Sequence, residues 1–244
     1  MSDLFSRNEL YWGKDVQQRL TNSSVAIFGL GGVGGYSAET LARAGVGELI
    51  LVDFDVVSKS NINRQIIALN STIGQKKTEL FETRLRDINP NIKLNVISDF
   101  YTDEPIDKNV NFVIDAIDTM RSKISLIEYC VKNNIPIISS MGAGNRVDPT
   151  QLYISDISEI KNRNAPFVSN VIYQLRKRGI ESGVTVVTSD EKPMVKEKIS
   201  EVEQVNKQSG EQIEFTKIVP SSTPFVASTA GIFMSSYVVR EIIK

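Results

Sequence analysis

The stretch Val25–Gly34, reading VAIFGLGGVG, constrains this chain more than any other. Its apolar run, Val25–Phe28, leads straight into glycines at positions 29, 31, 32 and 34. A short run of this kind reads as a buried parallel strand. Gly29, Gly31 and Gly34 keep a G-x-G-x-x-G spacing, and the residues after them, Tyr36–Ala44, have helical composition. Strand, glycine turn and helix in that order make a phosphate cradle. Glycine lets the turn close and lets a phosphate approach the backbone. The helix start adds free N–H groups and the positive end of a dipole. The motif points to a nucleotide and leaves its identity open, a plain NAD site included.

The same rhythm continues downstream. Glu48–Val52, Lys93–Ser98, Asn111–Ala116 and Pro136–Ser140 read as strands, and Thr78–Ile88 and Arg121–Asn133 as helices. This alternation predicts an α/β, Rossmann-like doubly wound sheet with a parallel N-terminal half. Residues 1–24 read as a helical lead-in with Leu10, Tyr11, Val16 and Leu20 at helical spacing. After residue 140 the pattern loosens. A strand at Gln151–Ser155, a helix at Asn164–Arg178, a strand at Gly183–Thr188 and a closing helix at Pro224–Ile243 continue the sheet with mixed or antiparallel strands. Glu191–Glu214 is dense in Lys, Glu, Gln and Ser and is expected to be a mobile loop. The chain is read as one domain, 1–244, with a nucleotide half at 1–140 and a substrate-facing half at 141–244.

Composition restricts the chemistry. The chain has no histidine and one cysteine, Cys130. That removes the commonest general base and any disulfide or multi-cysteine zinc framework. Carboxylates, Lys, Arg, backbone amides and a bound ion must do the work. Cys130, in IEYCVKNN, reads as a buried small apolar residue. A net charge of −1 excludes a global basic field. The N-terminus has no apolar signal segment, and the apolar stretch Phe225–Val239 is broken by Ser and Thr and short for a span. A cytoplasmic protein with no membrane partner is expected.

Ligands bind such sheets at the carboxyl ends of the strands. Asp53 ends the second strand about twenty residues past the glycines, where an acid meets a ribose. Asn61, Arg64 and Lys77 follow it, and Asp118 ends the fourth strand. A dehydrogenase needs only the glycines and Asp53. Arg64 and Lys77 make sense where a triphosphate is held and its leaving pyrophosphate stabilised, and Asp118 where Mg²⁺ rides on the phosphates. Asp55 reads as a turn cap and Asp115 as a strand end.

Taken together, GLGGVG, LVDFDVVSKSNINRQ, GQKK and DAIDT resemble the ubiquitin-activating-enzyme-like superfamily of ThiF/MoeB type. The resemblance implies an enzyme that adenylates a carboxylate with ATP and Mg²⁺. It places Gly29, Gly31, Gly32 and Gly34 at the phosphates, Asp53 at the ribose, Asn61, Arg64 and Lys77 on the triphosphate, and Asp118 on the metal. It makes Arg7 an N-terminal arginine that reaches into the partner's site, and so implies a homodimer. RQIIAL, INP, GAGNRVDPTQL, VTVVTSDEKP and TPFVASTAGIFMSSYVV resemble the TcdA (CsdL/YgdL) branch, the tRNA threonylcarbamoyladenosine dehydratases. That branch implies a tRNA substrate modified beside the anticodon, and admits a monovalent cation (K⁺ or Na⁺) and a sulfur-relay partner. Arg176–Arg178, with Lys161 and Arg163, is then expected to meet tRNA phosphates. Two alternatives stand: adenylation of a ThiS- or MoaD-type sulfur carrier, and a nucleotide-binding scaffold without turnover.

Overall fold

The computed structural model describes residues 3–161, 165–194 and 199–244. The chain enters through α1 (Ser6–Trp12) and α2 (Lys14–Thr21), separated at Gly13, whose φ of +85° breaks the expected single lead-in. Leu20 is buried, but Leu10 and Tyr11 are exposed. The alternating part follows as β1 (Ser24–Phe28), α3 (Gly34–Ala44), β2 (Glu48–Val52), α4 (Lys77–Ile88), β3 (Lys93–Ile97), β4 (Phe112–Asp115), α5 (Met120–Lys132) and β5 (Ile137–Ser140). Then come β6 (Leu152–Asp156), α6 (Pro166–Arg176), β7 (Thr185–Ser189), β8 (Ile199–Asn206), β9 (Gln212–Val219) and α7 (Pro224–Ile243). Asn164, where α6 was expected to begin, lies outside the described residues.

β1 to β7 form one sheet in the order β3-β2-β1-β4-β5-β7-β6, parallel except for β6. β6 returns antiparallel along β7, so the expected mixed second half amounts to one reversed edge strand. α3, α4 and α7 cover one face around Leu41, Phe81, Leu85, Ala230 and Met234. α5 and α6 cover the other around Ile127, Cys130, Val168 and Leu175. The winding reverses between β1 and β4, which opens a crevice at their carboxyl ends. Cys130 is fully buried as expected, and burial together with the nearby Asp115 pushes its thiol up to about 12. α7 is long and apolar enough to cross a membrane by length and composition, yet it packs on α3. The contact is close, since a Cβ on Gly231 would overlap the Val33 carbonyl oxygen.

The segment expected to be a mobile loop is instead the β8–β9 hairpin, apart from residues 195–198, which lie outside the described set. Its polar composition hid a period of two. Val205, Lys207, Ile213, Phe215 and Val219 face inward, and Val202, Gln204, Gln212, Glu214 and Thr216 face water. The ribbon leaves from beside the loop after β5, where the Met194 amide donates to the Asn145 carbonyl (2.9 Å). Its tip lands on the segment after β3. There Gln208 Nε2 donates to the Ser98 carbonyl at 3.2 Å, and Lys207 donates to Thr102 Oγ1 at 2.8 Å and pairs with Glu104. Phe215 meets Phe100 at 5.6 Å, and Phe100 meets Phe54 at 4.9 Å. Given the strand order, the ribbon crosses the mouth of the sheet.

Burial works against the charge on Glu104, but Lys207 and the Thr102 amide outweigh it and hold the carboxyl at about 2. A carboxyl lowered in the folded state stabilises above its ordinary value of 4.5, and that contribution disappears as pH falls towards 2. Glu104→Gln should therefore raise trypsin cleavage after Lys207 several-fold at neutral pH, with other sites unchanged. In the unsubstituted protein the same loosening should start only below about pH 4.5. Equal cleavage rates for the two proteins would show that the pair does not hold the tip.

Candidate active site

The glycine turn is fixed from both flanking strands. The Gly29 amide donates to the Val52 carbonyl and the Ala116 amide to the Phe28 carbonyl, each at 2.8 Å. Gly29 has φ +88°, and a Cβ there would stand 2.7 Å from the Ala116 carbonyl oxygen. A Cβ on Gly34 would overlap the Gly29 carbonyl oxygen. Both positions admit glycine alone. Gly31 differs, because a Cβ there would meet only Gln65 Nε2, at 3.6 Å. The turn is thus rigid at its ends and open in the middle, just ahead of the α3 N–H groups.

Asp53 holds the turn against β2. Its Oδ2 accepts the Leu30 amide at 2.6 Å, and its Oδ1 accepts the Asp55 amide at 2.8 Å. The Lys77 ammonium stands 3.9 Å from Asp53 and 2.6 Å from Asp55 Oδ2. The Asp53 and Lys77 side chains are almost fully buried, whereas Asp55 is 35% exposed. Burial pushes the Asp53 carboxyl up against the pull of Lys77. Burial also opposes the charge on Lys77, but Asp53, Asp55 and Asp118 outweigh it and hold the ammonium above its ordinary value. Asp53, the acid expected at a ribose, thus carries one backbone amide on each oxygen, and each oxygen keeps a further acceptor position. Asp55, read from sequence as a turn cap, presents the open carboxylate.

The segment after β2 folds back over the glycines. Asn61 is buried, and its side chain accepts the Ser58 amide at 3.1 Å, which closes the turn that carries Arg64. Arg64 Nη1 donates to the Ser60 carbonyl and to Asn63 Oδ1, both at 2.9 Å, and its Cγ lies 3.3 Å from a Cβ built on Gly32. Burial lowers the Arg64 pKa, and Asp118 opposes that shift. Asp118 is exposed at the end of β4 and acts on both Arg64 and Lys77. The glycine turn thus lies beside Arg64, and the Asp118 carboxylate acts on both Arg64 and Lys77 at this end of the sheet. Gln65, which sequence reasoning passed over, is buried beside Gly31 with no donor to its Oε1 among the described residues. The adjoining wall is also new. Ala227 of α7 touches the Cβ position of Gly32 at 3.2 Å, and Asn63 Nδ2 donates to the Ser222 carbonyl at 2.8 Å.

Arg7, expected in a partner's site, and Arg176–Arg178, expected at tRNA phosphates, both stand apart from this crevice. Arg7 is exposed on α1, whose Asn8 bonds the Arg43 carbonyl at the far end of α3, about 16 Å from the glycine turn. Arg176–Arg178 closes α6 at the end opposite Phe167, which abuts Gly142 at the mouth, and Arg178 pairs with Glu128 at 2.9 Å. This cluster does not line the crevice, and Arg163 lies outside the described residues.

A family model described as the ThiF family matches residues 5–244. The chain belongs to that family. Within it, the chain is 46% identical to a tRNA threonylcarbamoyladenosine dehydratase of Bacillus subtilis, over 98% of this chain and 94% of that protein. It is 38% identical to the sulfur carrier protein ThiS adenylyltransferase of Escherichia coli, over 53% of each chain. Among solved structures, E. coli TcdA in complex with ATP superposes with a TM-score of 0.81 at 30% identity, covering 98% of this chain and 93% of that one.

The geometry separates the two acids of this family member after β2. Asp53→Ala strips the acceptor from two backbone amides and leaves Lys77 short of a buried partner, at a cost of about 3–5 kcal/mol in denaturant unfolding. Asp55→Ala leaves the buried Lys77 with Asp53 still nearby and strips no backbone amide of its acceptor, so it should cost less than Asp53→Ala. Equal costs, or the reverse order, would contradict the assignment of Asp53 to the scaffold.

Proposed function

We propose that this protein is an ATP-dependent tRNA threonylcarbamoyladenosine dehydratase. The reading is carried by Arg64, Lys77 and Asp118, which act on one another electrostatically beside a glycine turn, in a chain similar throughout its length to proteins of that name. The α-phosphate lies over Gly31 and Gly32 at the start of α3. Arg64 and Lys77 take the outer phosphates, and Asp55, backed by Asp53, takes the ribose. Among the described residues no cluster of three or more acidic, His or Cys side chains forms a metal cage. Mg²⁺ suits such a site, because it binds through one or two carboxylates and relies on phosphates and water for the rest. Asp118 is its carboxylate. A bound ion there would supply neutralising charge for the phosphates.

The reaction then needs no imidazole or thiol from the chain. The threonyl carboxylate oxygen bonds to the α-phosphorus as the bond to the bridging oxygen of pyrophosphate breaks. The ureido group of the same substrate attacks the activated acyl carbon and gives its proton to water, and AMP departs with the carboxylate oxygen. The net change in the nucleoside is loss of one water. Arg64 and Lys77 stabilise the leaving pyrophosphate, and the glycine-turn amides meet the charge on the α-phosphate. The buried Cys130 thiol, held neutral at pH 7, is no nucleophile. We place this chemistry in the cytoplasm, where tRNA is found.

The protein incubated with ATP, Mg²⁺ and tRNA carrying the threonylcarbamoyl group should give a nucleoside lighter by one water in mass spectrometry. No mass change, together with pyrophosphate exchange that requires a protein ending in Gly-Gly, would favour the sulfur-carrier reading. Asp118→Ala and Arg64→Ala should each lower the rate by about a hundredfold or more with the fold intact. Full turnover by Asp118→Ala would remove the metal role.

Arg7 enters the site only from a second copy, and we propose a homodimer that delivers it. Arg7→Ala and Asp118→Ala, each inactive alone, should then recover activity when mixed and reassociated, because one site of the mixed dimer carries neither change. Failure of the mixture would leave Arg7 outside the site.

A further inference from the structure

Beneath the crevice lies a second acid–lysine pair that the mechanism above does not use. Asp115 at the end of β4, Lys123 on α5 and Ser139 on β5 are all fully buried. Asp115 Oδ2 accepts from Lys123 Nζ and from Ser139 Oγ, each at 2.6 Å, and Lys123 Nζ also reaches Ser139 Oγ at 3.2 Å. The other carboxylate oxygen, Oδ1, accepts the Ile117 amide at 3.0 Å. No solvent reaches this triangle, so neither Lys123 nor Asp115 can touch a substrate.

Its construction repeats that of Asp53. Each acid ends a strand next to β1, and each uses Oδ1 to hold the amide two residues on. In each case the turn so fixed offers a more exposed carboxylate at the mouth, Asp55 in one and Asp118 in the other. The lysines differ: Lys77 borders the crevice, whereas Lys123 is sealed. A sealed ion pair is a poor source of stability compared with apolar side chains of the same volume. Its effect here lies in geometry. The Ala116–Asp118 turn is pinned by Phe28 on one side and by Asp115 on the other, and among the described residues the side chains that bond Asp115 are Lys123 and Ser139.

We infer that Lys123, with Ser139, is a positioning residue for Asp118: the pair orients Asp115 so that the turn presents the Asp118 carboxylate to the metal–phosphate group. The inference rests on the reading of Asp118 as the magnesium carboxylate, and the test separates the two. ATP binding is measured by calorimetry with EDTA and across a Mg²⁺ titration, on the full-length protein and on Lys123→Met, Ser139→Ala and Asp118→Ala, with circular dichroism confirming the fold. Lys123→Met should raise the half-saturating Mg²⁺ at least tenfold while the metal-free ATP affinity stays within twofold, a split that simple destabilisation does not produce. Ser139→Ala removes one donor and spares the ion pair, and should give about a threefold rise. It carries the test by itself if Lys123→Met does not fold. If Asp118→Ala shifts the Mg²⁺ requirement but the other folded variants do not, the positioning role is overturned and the magnesium reading stands. If Asp118→Ala shifts nothing, the magnesium reading falls, and this inference with it.

Discussion

The bond from the Leu30 amide to the Asp53 carboxylate, 2.6 Å long, is the constraint on which the rest of the site depends. A glycine turn has little conformational preference of its own. This one is held because a buried acid at the end of the neighbouring strand takes its amide, and because Lys77 balances the charge that burial penalises. The same acid fixes the Asp55 amide, so Asp55 and Lys77 are set relative to the glycines by one carboxylate. Phe54, between the two acids, extends the order outward through Phe100 to Phe215 and the ribbon across the mouth.

From that arrangement the chemistry follows without a histidine. In the proposed reaction, positive charge on Arg64, Lys77 and the helix start stands beforehand where phosphate charge develops. Such groups need not gain or lose a proton during turnover. The strand on the other side of β1 carries a second acid–lysine pair built to the same plan, at Asp115 and Lys123. The crevice is thus framed on both sides by a carboxylate that orders a turn from beneath and a second carboxylate that the turn displays.

Much of this was legible in the sequence because it rests on local pattern. Apolar runs such as Val25–Phe28 and Phe112–Asp115 gave their strands, and the glycine spacing gave the turn. What was missed depends on context in space. The sequence put Asp53 at a ribose and Asp55 in a turn, and only the position of the Leu30 amide shows that Asp53 also holds the glycine turn. Lys123, in MRSKISL, drew no notice in the sequence, because only the fold brings Asp115 and Ser139 against it. The hairpin was misread for another reason. Composition outweighed alternation, although the apolar residues Val205, Ile213 and Phe215 fall on one face. Arg7 lies on α1, away from its own chain's glycine turn.

The most direct test of the central claim is a crystal structure of the protein with Mg²⁺ and a non-hydrolysable ATP analogue. The account predicts the α-phosphate over Gly31 and Gly32, Arg64 and Lys77 on the outer phosphates, Asp118 on the metal side, and Asp53 still bonded to the Leu30 amide. A nucleotide bound away from the glycine turn, or an Asp53 that leaves Leu30 to take the ribose, would contradict it.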